Sequence, residues 1–347
     1  MEIKNNKLFK SLILNKDKSV IMAIKKIQNN PIKTLVIVDD KNILIGTITD
    51  GDIRRGMLKG YTIKTKINKF VNKNPKKILN ENSVNYSTKK NIVLVPRINK
   101  NNRLISIKLL DQKEERELNE KVDVVLMAGG FGKRLMPLTS KIPKPMIKIN
   151  KKPLLETIIL NFKKYGILNF KISTYYKSNI IKNYFKNGKR FGVNIRYLLE
   201  KKPLGTAGCL GMLNLKELKD NIIVHNGDII SNLNLKNFLK FHETTNSDIT
   251  ICAKEHISNS PFGEILFSGH KVKKILEKPK NINFVNAGIY IFKKETLKKI
   301  NLKKIDMVRL IQSRISQGFK ANIYPIYEYW ADIGRKDTLK EILKQKK

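Results

Sequence analysis

Three glycines, Gly129, Gly130 and Gly132, follow the apolar run of residues 124–127 and lead straight into Lys133 and Arg134, with Lys144 one Pro-punctuated stretch later. A buried strand feeding a glycine-rich turn leaves backbone N–H groups bare, so that an anion can come close to the chain. Cations at the same place suit a phosphate chain. Judged on its glycines alone, the run from Ala128 to Gly132 is equally a tight turn after a core strand; the cations move the reading towards phosphate. Two commoner motifs fail on counting. A P-loop needs Gly, four residues, then Gly-Lys-Ser/Thr, whereas Arg134 follows Gly132-Lys133 here and Met127 occupies the place of the earlier glycine. A dinucleotide fingerprint begun at Gly130 would need its third glycine at Leu135.

Taken whole, residues 122–146 (VDVVLMAGGFGKRLMPLTSKIPKPM) resemble the signature loop of the sugar-1-phosphate nucleotidylyltransferases, L-A-G-G-x-G-T-R-L-x-P-L-T…P-K-P. The match runs through Gly129, Gly130, Gly132, Arg134, Leu135, Pro137, Leu138, Thr139, Pro143, Lys144 and Pro145. Lys133 departs from it, standing where a small Thr or Ser is usual, and adds a cation that suits a triphosphate.

Further along, Glu200, Pro203, Leu204, Gly205, Thr206, Ala207 and Gly208 resemble the family's base-reading loop, E-x-x-P-L-G-T-A-G. A carboxylate offers only acceptors, so Glu200 suits the adjacent N1–H and exocyclic amine of guanine and favours GTP; as a plain helix entry the same stretch would leave Glu200 at the surface. Asn226-Gly227-Asp228 resembles the family's metal site, although an Asp at a strand end is by itself as often a turn former. Its implied partner is Asp332, in Trp330-Ala331-Asp332-Ile333-Gly334, which resembles the W-x-D-x-G turn. The resemblance also implies that Lys278, in Glu277-Lys278-Pro279, meets the sugar phosphate, and that Gly263, Glu277 and Asn286 lie by the sugar.

These motifs need a scaffold that gathers them. Strands expected at 170–174, 194–199 and 222–225 alternate with helices expected at 154–165, 180–185 and 210–218. That order predicts an α/β fold, a Rossmann-like, mainly parallel sheet with helices on both faces and ligands beyond the carboxyl ends of its strands. Strands at 264–267, 272–276 and 285–292 are expected to form a smaller antiparallel sheet on the sugar side.

Before this lies a different pattern. Apolar residues at helical spacing from Val20 to Ile27, a strand at 35–38, a turn, a strand at 43–48 and the stretch Thr49-Asp50-Gly51-Asp52 resemble an α+β CBS-type module. In that family a Thr-x-x-Asp pair, here Thr49 and Asp52, contacts the ribose and phosphate of an adenine nucleotide; helix capping explains the pair equally well. A degenerate second copy is expected around strands 92–95 and 104–107, with too little chain at 80–91 for its helix. Expected domains are thus 1–110, a charged linker at 111–121, and 122–347.

Composition sets the outer limits. Hydrophobic residues at 41% and charged residues at 29% describe a globular chain long enough for two cores. No apolar run approaches ~18 residues, and the first ten residues lack a signal core, so no membrane partner and a cytoplasmic location are expected. Two cysteines, Cys209 and Cys252, and four scattered histidines exclude a disulfide framework and a zinc site. The net charge of +41 raises nucleic acid as a partner, but the lysines are spread along the chain among Asn and Ile, as A/T-rich codons would produce, and no aromatic residues interleave them as stacking platforms.

The resemblance implies transfer of a nucleoside monophosphate from an NTP to a sugar 1-phosphate, giving an NDP-sugar and pyrophosphate. Arg134 and the backbone of Ala128, Gly129, Gly130, Gly132 and Lys133 would take the phosphates, Glu200, Gly205 and Thr206 the base. Lys144 would neutralise the α-phosphate, Asp228 and Asp332 would hold Mg2+, and Lys278 would position the sugar phosphate. A homo-oligomer is implied by the tandem module. The contrasting readings are an inactive nucleotide sensor and a nucleic-acid binder.

Overall fold

The computed structural model describes residues 2–30, 32–79, 94–110, 118–334, 338–339 and 341–342. It divides into two compact units, Met1–Glu115 and Arg116–Lys347.

In the first unit β1 (Ile13–Asn15), α1 (Val20–Asn29), β2 (Thr34–Val38), β3 (Leu44–Thr49) and α2 (Asp50–Leu58) follow one another. Helix α1 buries Val20, Ala23, Ile24 and Ile27, the stripe that its sequence spacing sets out. Strand β2 pairs parallel with β1 and antiparallel with β3. A second sheet holds β4 (Leu94–Ile98) and β5 (Leu104–Leu109). The turns of the two hairpins interlock in matching ways. Asn42 and Asn102 both adopt a left-handed backbone, φ 61° and 57°, which Asn tolerates better than most residues. Asn42 Nδ2 donates to Leu104 O at 3.0 Å, and Asn102 Nδ2 donates to Leu44 O at 2.9 Å. The second hairpin thus repeats the first, as the spacing of its apolar residues suggests. The polar stretch 80–91 and the linker residues 111–117 lie outside the described residues.

The second unit is built on a seven-stranded sheet. Its strands are β6 (Val122–Met127), β7 (Asn169–Thr174), β8 (Asn194–Leu199), β9 (Asn221–Asn226), β11 (Ile249–Asn259), β14 (Lys280–Lys293) and β15 (Ala321–Ile326), in the order β8-β7-β6-β9-β14-β11-β15. The short β10 (Ile229–Ser231) and the hairpin β12 (Glu264–Ser268) with β13 (Lys271–Leu276) lie outside that sheet, and β16 (Trp330–Asp332) pairs with β10. Strands β6 to β9 are mutually parallel, and only β14 runs against its neighbours. Alternation along β6 divides the two cores. Val124 and Leu126 face α3 (Leu154–Lys163), α4 (Ser178–Phe185) and α5 (Leu235–Thr244), while Val125 faces α6 (Met307–Ser316) and the turns at 208–218. A buried Asp123 on β6 is satisfied by Lys171 Nζ at 2.6 Å and by the Lys219 N–H at 2.8 Å.

Two expectations need correction. Residues 210–218 are not an α-helix but two 3-10 turns, Gly208–Met212 and Leu215–Glu217. The reason lies in glycines at every third position. A Cβ on Gly205, Gly208 or Gly211 would come within 2.5–2.6 Å of the carbonyls of Ile305, Lys303 and Ile300 respectively. A three-residue repeat matches three residues per turn, so one bare face admits the returning chain. Second, the strand expected at 285–292 is not part of a separate sugar-side sheet. It is the C-terminal half of β14, paired with β9 and β11 inside the main sheet, because Ala287 to Phe292 are buried on both faces. Only β12 and β13 stand apart, as a two-stranded hairpin.

Two histidines are enclosed in this unit. The His225 Nδ1–H donates to Asn226 O at 2.7 Å, and His242 Nδ1 pairs with Thr250 Oγ1 at 2.7 Å. Burial pushes both imidazoles down to about 4. Because an unfolded histidine protonates near 6.5 and these do so only near 4, stability is fully present above pH 6.5 and is lost as pH falls towards 4. Each histidine should cost about 2 kcal/mol of stability between pH 7 and pH 5. Urea midpoints measured across that range should fall, and His242→Gln should flatten the slope.

Candidate active site

Strands β6, β7, β8 and β9 end on the same edge of the sheet, and the loops that follow β6, β8 and β9 line a cleft of about 500 Å³. The loop after β6 is fixed at its start by the Ala128 N–H donating to Ser173 O at 2.9 Å. Gly132 sits at φ 66°, and a Cβ there would lie 2.8 Å from Thr139 Cγ2 and 3.2 Å from Lys144 Cβ. Glycine is therefore required twice, for conformation and for space. Buried Thr139 donates from Oγ1 to Gly132 O at 2.9 Å, and Tyr176 Oη donates to Thr139 O at 3.1 Å. Phe131 packs on Tyr175 and Tyr176, with the Lys133 ammonium 5.8 Å from its ring centre. Arg134 is exposed and lines the cleft.

At the far end lies a charge cluster. The Lys144 ammonium pairs with Asp228 Oδ2 and lies 3.8 Å from Asp332 Oδ1. The two carboxylates are neighbours because β10 and β16 pair antiparallel, with Ile229 opposite Asp332, and because the Ile333 N–H donates to Asp228 O at 2.9 Å. The Gly334 N–H donates to Asp332 Oδ1 at 2.6 Å. A Cβ on Gly334 would stand 2.5 Å from Lys144 Nζ, so a side chain at the last position of the W-x-D-x-G turn would have to displace the ammonium. Trp330 anchors this turn by donating from Nε1 to Ala287 O at 2.8 Å.

Glu200 is not a surface residue but is held on both oxygens. Ser173 Oγ donates to Oε1, and the Leu204 N–H donates to Oε2 at 2.9 Å. Its Oε1 also lies 2.8 Å from where a Cβ on Gly129 would be. Gly205, Thr206, Asn226 and Lys304 complete this part of the cleft. The Thr206 hydroxyl also accepts from the Met307 N–H at 2.8 Å, which satisfies the first turn of α6.

Most residues singled out in the sequence therefore meet. Ala128, Gly129, Gly130, Gly132, Lys133, Arg134, Lys144, Glu200, Gly205, Thr206 and Asp228 line one cleft, and Asp332 adjoins it through Lys144. Lys278, Glu277 and Gly263 do not line it. They cluster at the root of the β12–β13 hairpin, with Glu277 Oε2 3.4 Å from where a Cβ on Gly263 would be. Asn286 caps its own turn by accepting from the Gly288 N–H at 3.0 Å, and Gly288 abuts Asn226. Sequence reasoning missed Ser173, whose only signal is a hydroxyl at a strand end, and named Thr139 only as part of the loop motif.

Among the described residues no group of three or more His, Cys, Asp or Glu side chains is arranged around a metal position. The chemistry of the Asp228–Asp332 pair nonetheless suits a hard divalent cation, which takes one or two carboxylates and completes its oxygens with substrate phosphates and water. In the first unit, Thr49 and Asp52 form a capping box. The Asp52 N–H donates to Thr49 Oγ1 at 3.2 Å, and Asp52 Oδ2 accepts from the Thr49 N–H at 2.8 Å. Among the described residues, no helix is long and apolar enough to cross a membrane.

Comparison with known proteins agrees with this geometry. The Nucleotidyl transferase family matches residues 123–347, and the CBS domain matches residues 10–59. The chain is 30% identical over 223 residues to the mannose-1-phosphate guanylyltransferase catalytic subunit beta of Xenopus tropicalis, covering 62% of each chain. It is 32% identical over 174 residues to the D-glycero-alpha-D-manno-heptose 1-phosphate guanylyltransferase of Aneurinibacillus thermoaerophilus, covering 50% of this chain and 75% of that one. The solved structure of HddC from Yersinia pseudotuberculosis matches with a TM-score of 0.51 and 25% identity, over 65% of this chain and 99% of that one. The chain thus spans less than two thirds of the catalytic subunit's length. With the family match extending over more than half of its residues, the chain belongs to the nucleotidyl transferase family.

Proposed function

We propose that the protein transfers a nucleoside monophosphate, GMP by preference, from an NTP to a sugar 1-phosphate. A sugar phosphate oxygen attacks the α-phosphorus in line; the bond from that phosphorus to the β-bridging oxygen breaks, and pyrophosphate leaves. No nucleophilic side chain is needed, so catalysis is positioning and charge stabilisation. The observation that carries this reading is the convergence of Lys144, Asp228 and Asp332 on one end of the cleft lined by the glycine loop and Glu200.

The bare N–H groups of residues 129–132, with Lys133 and Arg134, would hold the β- and γ-phosphates. Lys144 would neutralise charge growing at the α-phosphate, and its hold on both carboxylates keeps them oriented beforehand. Asp228 and Asp332 would hold Mg2+, which supplies a fixed positive charge at phosphate oxygens when bound. Glu200, oriented by Ser173 and Leu204, would accept from N1–H and the amine of guanine. Lys278 would meet the sugar phosphate from the hairpin root. Mannose, heptose and glucosamine 1-phosphates are the sugars to try, for surface-glycan precursors.

A matrix of NTPs against sugar 1-phosphates, read by pyrophosphate release, tests this directly. GTP should lead. Arg134→Ala and Asp228→Ala should each lower turnover by ~10²–10³ while remaining folded. Wild-type turnover in Asp228→Ala would remove its assignment. Gly129→Ala should impair turnover as well, because its Cβ would displace a carboxylate already held at both oxygens.

A second reading concerns the first unit. A cleft of about 400 Å³ there is lined by Asp52, Arg55, Lys59, Lys69 and Phe70 among others, cations beside an aromatic ring that suit an adenine-nucleotide effector. Calorimetric titration of AMP into the whole protein should give a heat that Lys59→Ala abolishes. No heat in the wild type would leave Thr49 and Asp52 as caps alone.

A further inference from the structure

Lys304 is a cation of the cleft that no motif accounts for. It lies on the segment of chain that returns across the glycine face of the base-reading loop. The Ile305 N–H donates to Leu204 O at 3.0 Å, and the Ala207 N–H donates to Ile305 O at 3.0 Å. On the other side of Lys304, the Lys303 carbonyl lies 2.5 Å from where a Cβ on Gly208 would be. Both backbone neighbours are thus docked on the loop, while the Lys304 side chain is exposed and lines the cleft. Its ammonium makes no ion pair among the described residues.

The docking also ties Lys304 to Glu200. The Leu204 N–H holds Glu200 Oε2 at 2.9 Å, and the carbonyl of the same residue holds the neighbour of Lys304. One short loop therefore carries an acceptor-only carboxylate and is strapped by a segment carrying a donor-only ammonium. Guanine presents the complementary pattern: N1–H and an amine that donate, beside O6 and N7 that accept. Adenine puts an amine donor where guanine has O6, so an ammonium there would face a donor.

We propose that Lys304 reads the O6/N7 edge of guanine while Glu200 reads N1–H and the amine, making Lys304 a specificity-determining residue for the nucleotide. The assignment rests on the nucleotidyl-transfer reading given above. It differs from a phosphate contact, which would serve every NTP alike.

Steady-state kinetics of the whole protein and of Lys304→Met, with GTP, ATP and 7-deaza-GTP, separate the outcomes. In the wild type GTP should be favoured over both. In Lys304→Met the GTP-to-ATP ratio of kcat/KM should fall about tenfold or more, mainly through a higher KM for GTP, and 7-deaza-GTP should approach GTP. ITP, which lacks the amine but keeps N1–H, O6 and N7, should lose turnover in Lys304→Met as GTP does and should be less sensitive than GTP to Glu200→Gln. Equal losses with GTP and ATP would place Lys304 on the triphosphate and overturn the proposal, as would an unchanged ratio. Absence of NTP turnover by the wild type with any sugar 1-phosphate would instead overturn the transferase reading, and this assignment with it.

Discussion

One ammonium shared by two carboxylates sets the terms for the rest of the second unit. Lys144 is buried, and a buried charge is costly unless its partners are held in place. Asp228 and Asp332 supply them from stretches of chain about a hundred residues apart, and the geometry needed to bring them together explains several otherwise unrelated features. The two-stranded β10–β16 ladder sets their spacing. Trp330 clamps the ladder to β14, and Gly334 is bare because the ammonium takes the space of its side chain. Two carboxylates against one ammonium leave a formal charge of −1 at this end of the cleft.

Glycines elsewhere in the unit have the same logic. Gly129 makes room for the Glu200 carboxylate, Gly132 for Thr139 and Lys144, and Gly205, Gly208 and Gly211 for three carbonyls of one returning segment. These are close approaches between parts of the chain that are remote in sequence. A glycine motif here is therefore a record of contacts as much as of flexibility, and its tolerance of substitution differs from one position to the next. Gly130 has open space around its Cβ position, so no packing contact requires it to be bare.

Much of this was legible in the sequence because strand ends and motif residues coincide. Met127, Leu199 and Asn226 end parallel strands, and the motif residues begin one or two residues later, so strand–helix alternation placed Gly129, Glu200 and Asp228 at one edge of the sheet. What stayed hidden depends on partners distant in the chain. Residues 210–218 carry apolar spacing that suits a helix, yet the backbone of residues 300–305 lies against their glycines and imposes three residues per turn. The strand at 285–292 looks like a sequel to its neighbours 264–276 but finds its partners in β9 and β11. Thr49 and Asp52 illustrate the opposite limit: one spacing encodes both a helix cap and a ligand contact, and only the cap needs no second molecule.

Ser173 joins the glycine loop after β6 to the Glu200 loop after β8. Its carbonyl accepts from Ala128 at the root of the phosphate loop, and its hydroxyl donates to Glu200 at the base-reading loop. The Glu200 carboxylate in turn fills the space that a side chain on Gly129 would need. Under the proposed function, a base that pulled the Glu200 carboxylate outwards would change this contact, and one that left it in place would keep Gly129 where its N–H could meet a phosphate. Fidelity for the base and alignment of the triphosphate would then not be independent properties of two subsites. They would share one buried serine, and the wrong base would be penalised at the phosphates as well as at its own edge.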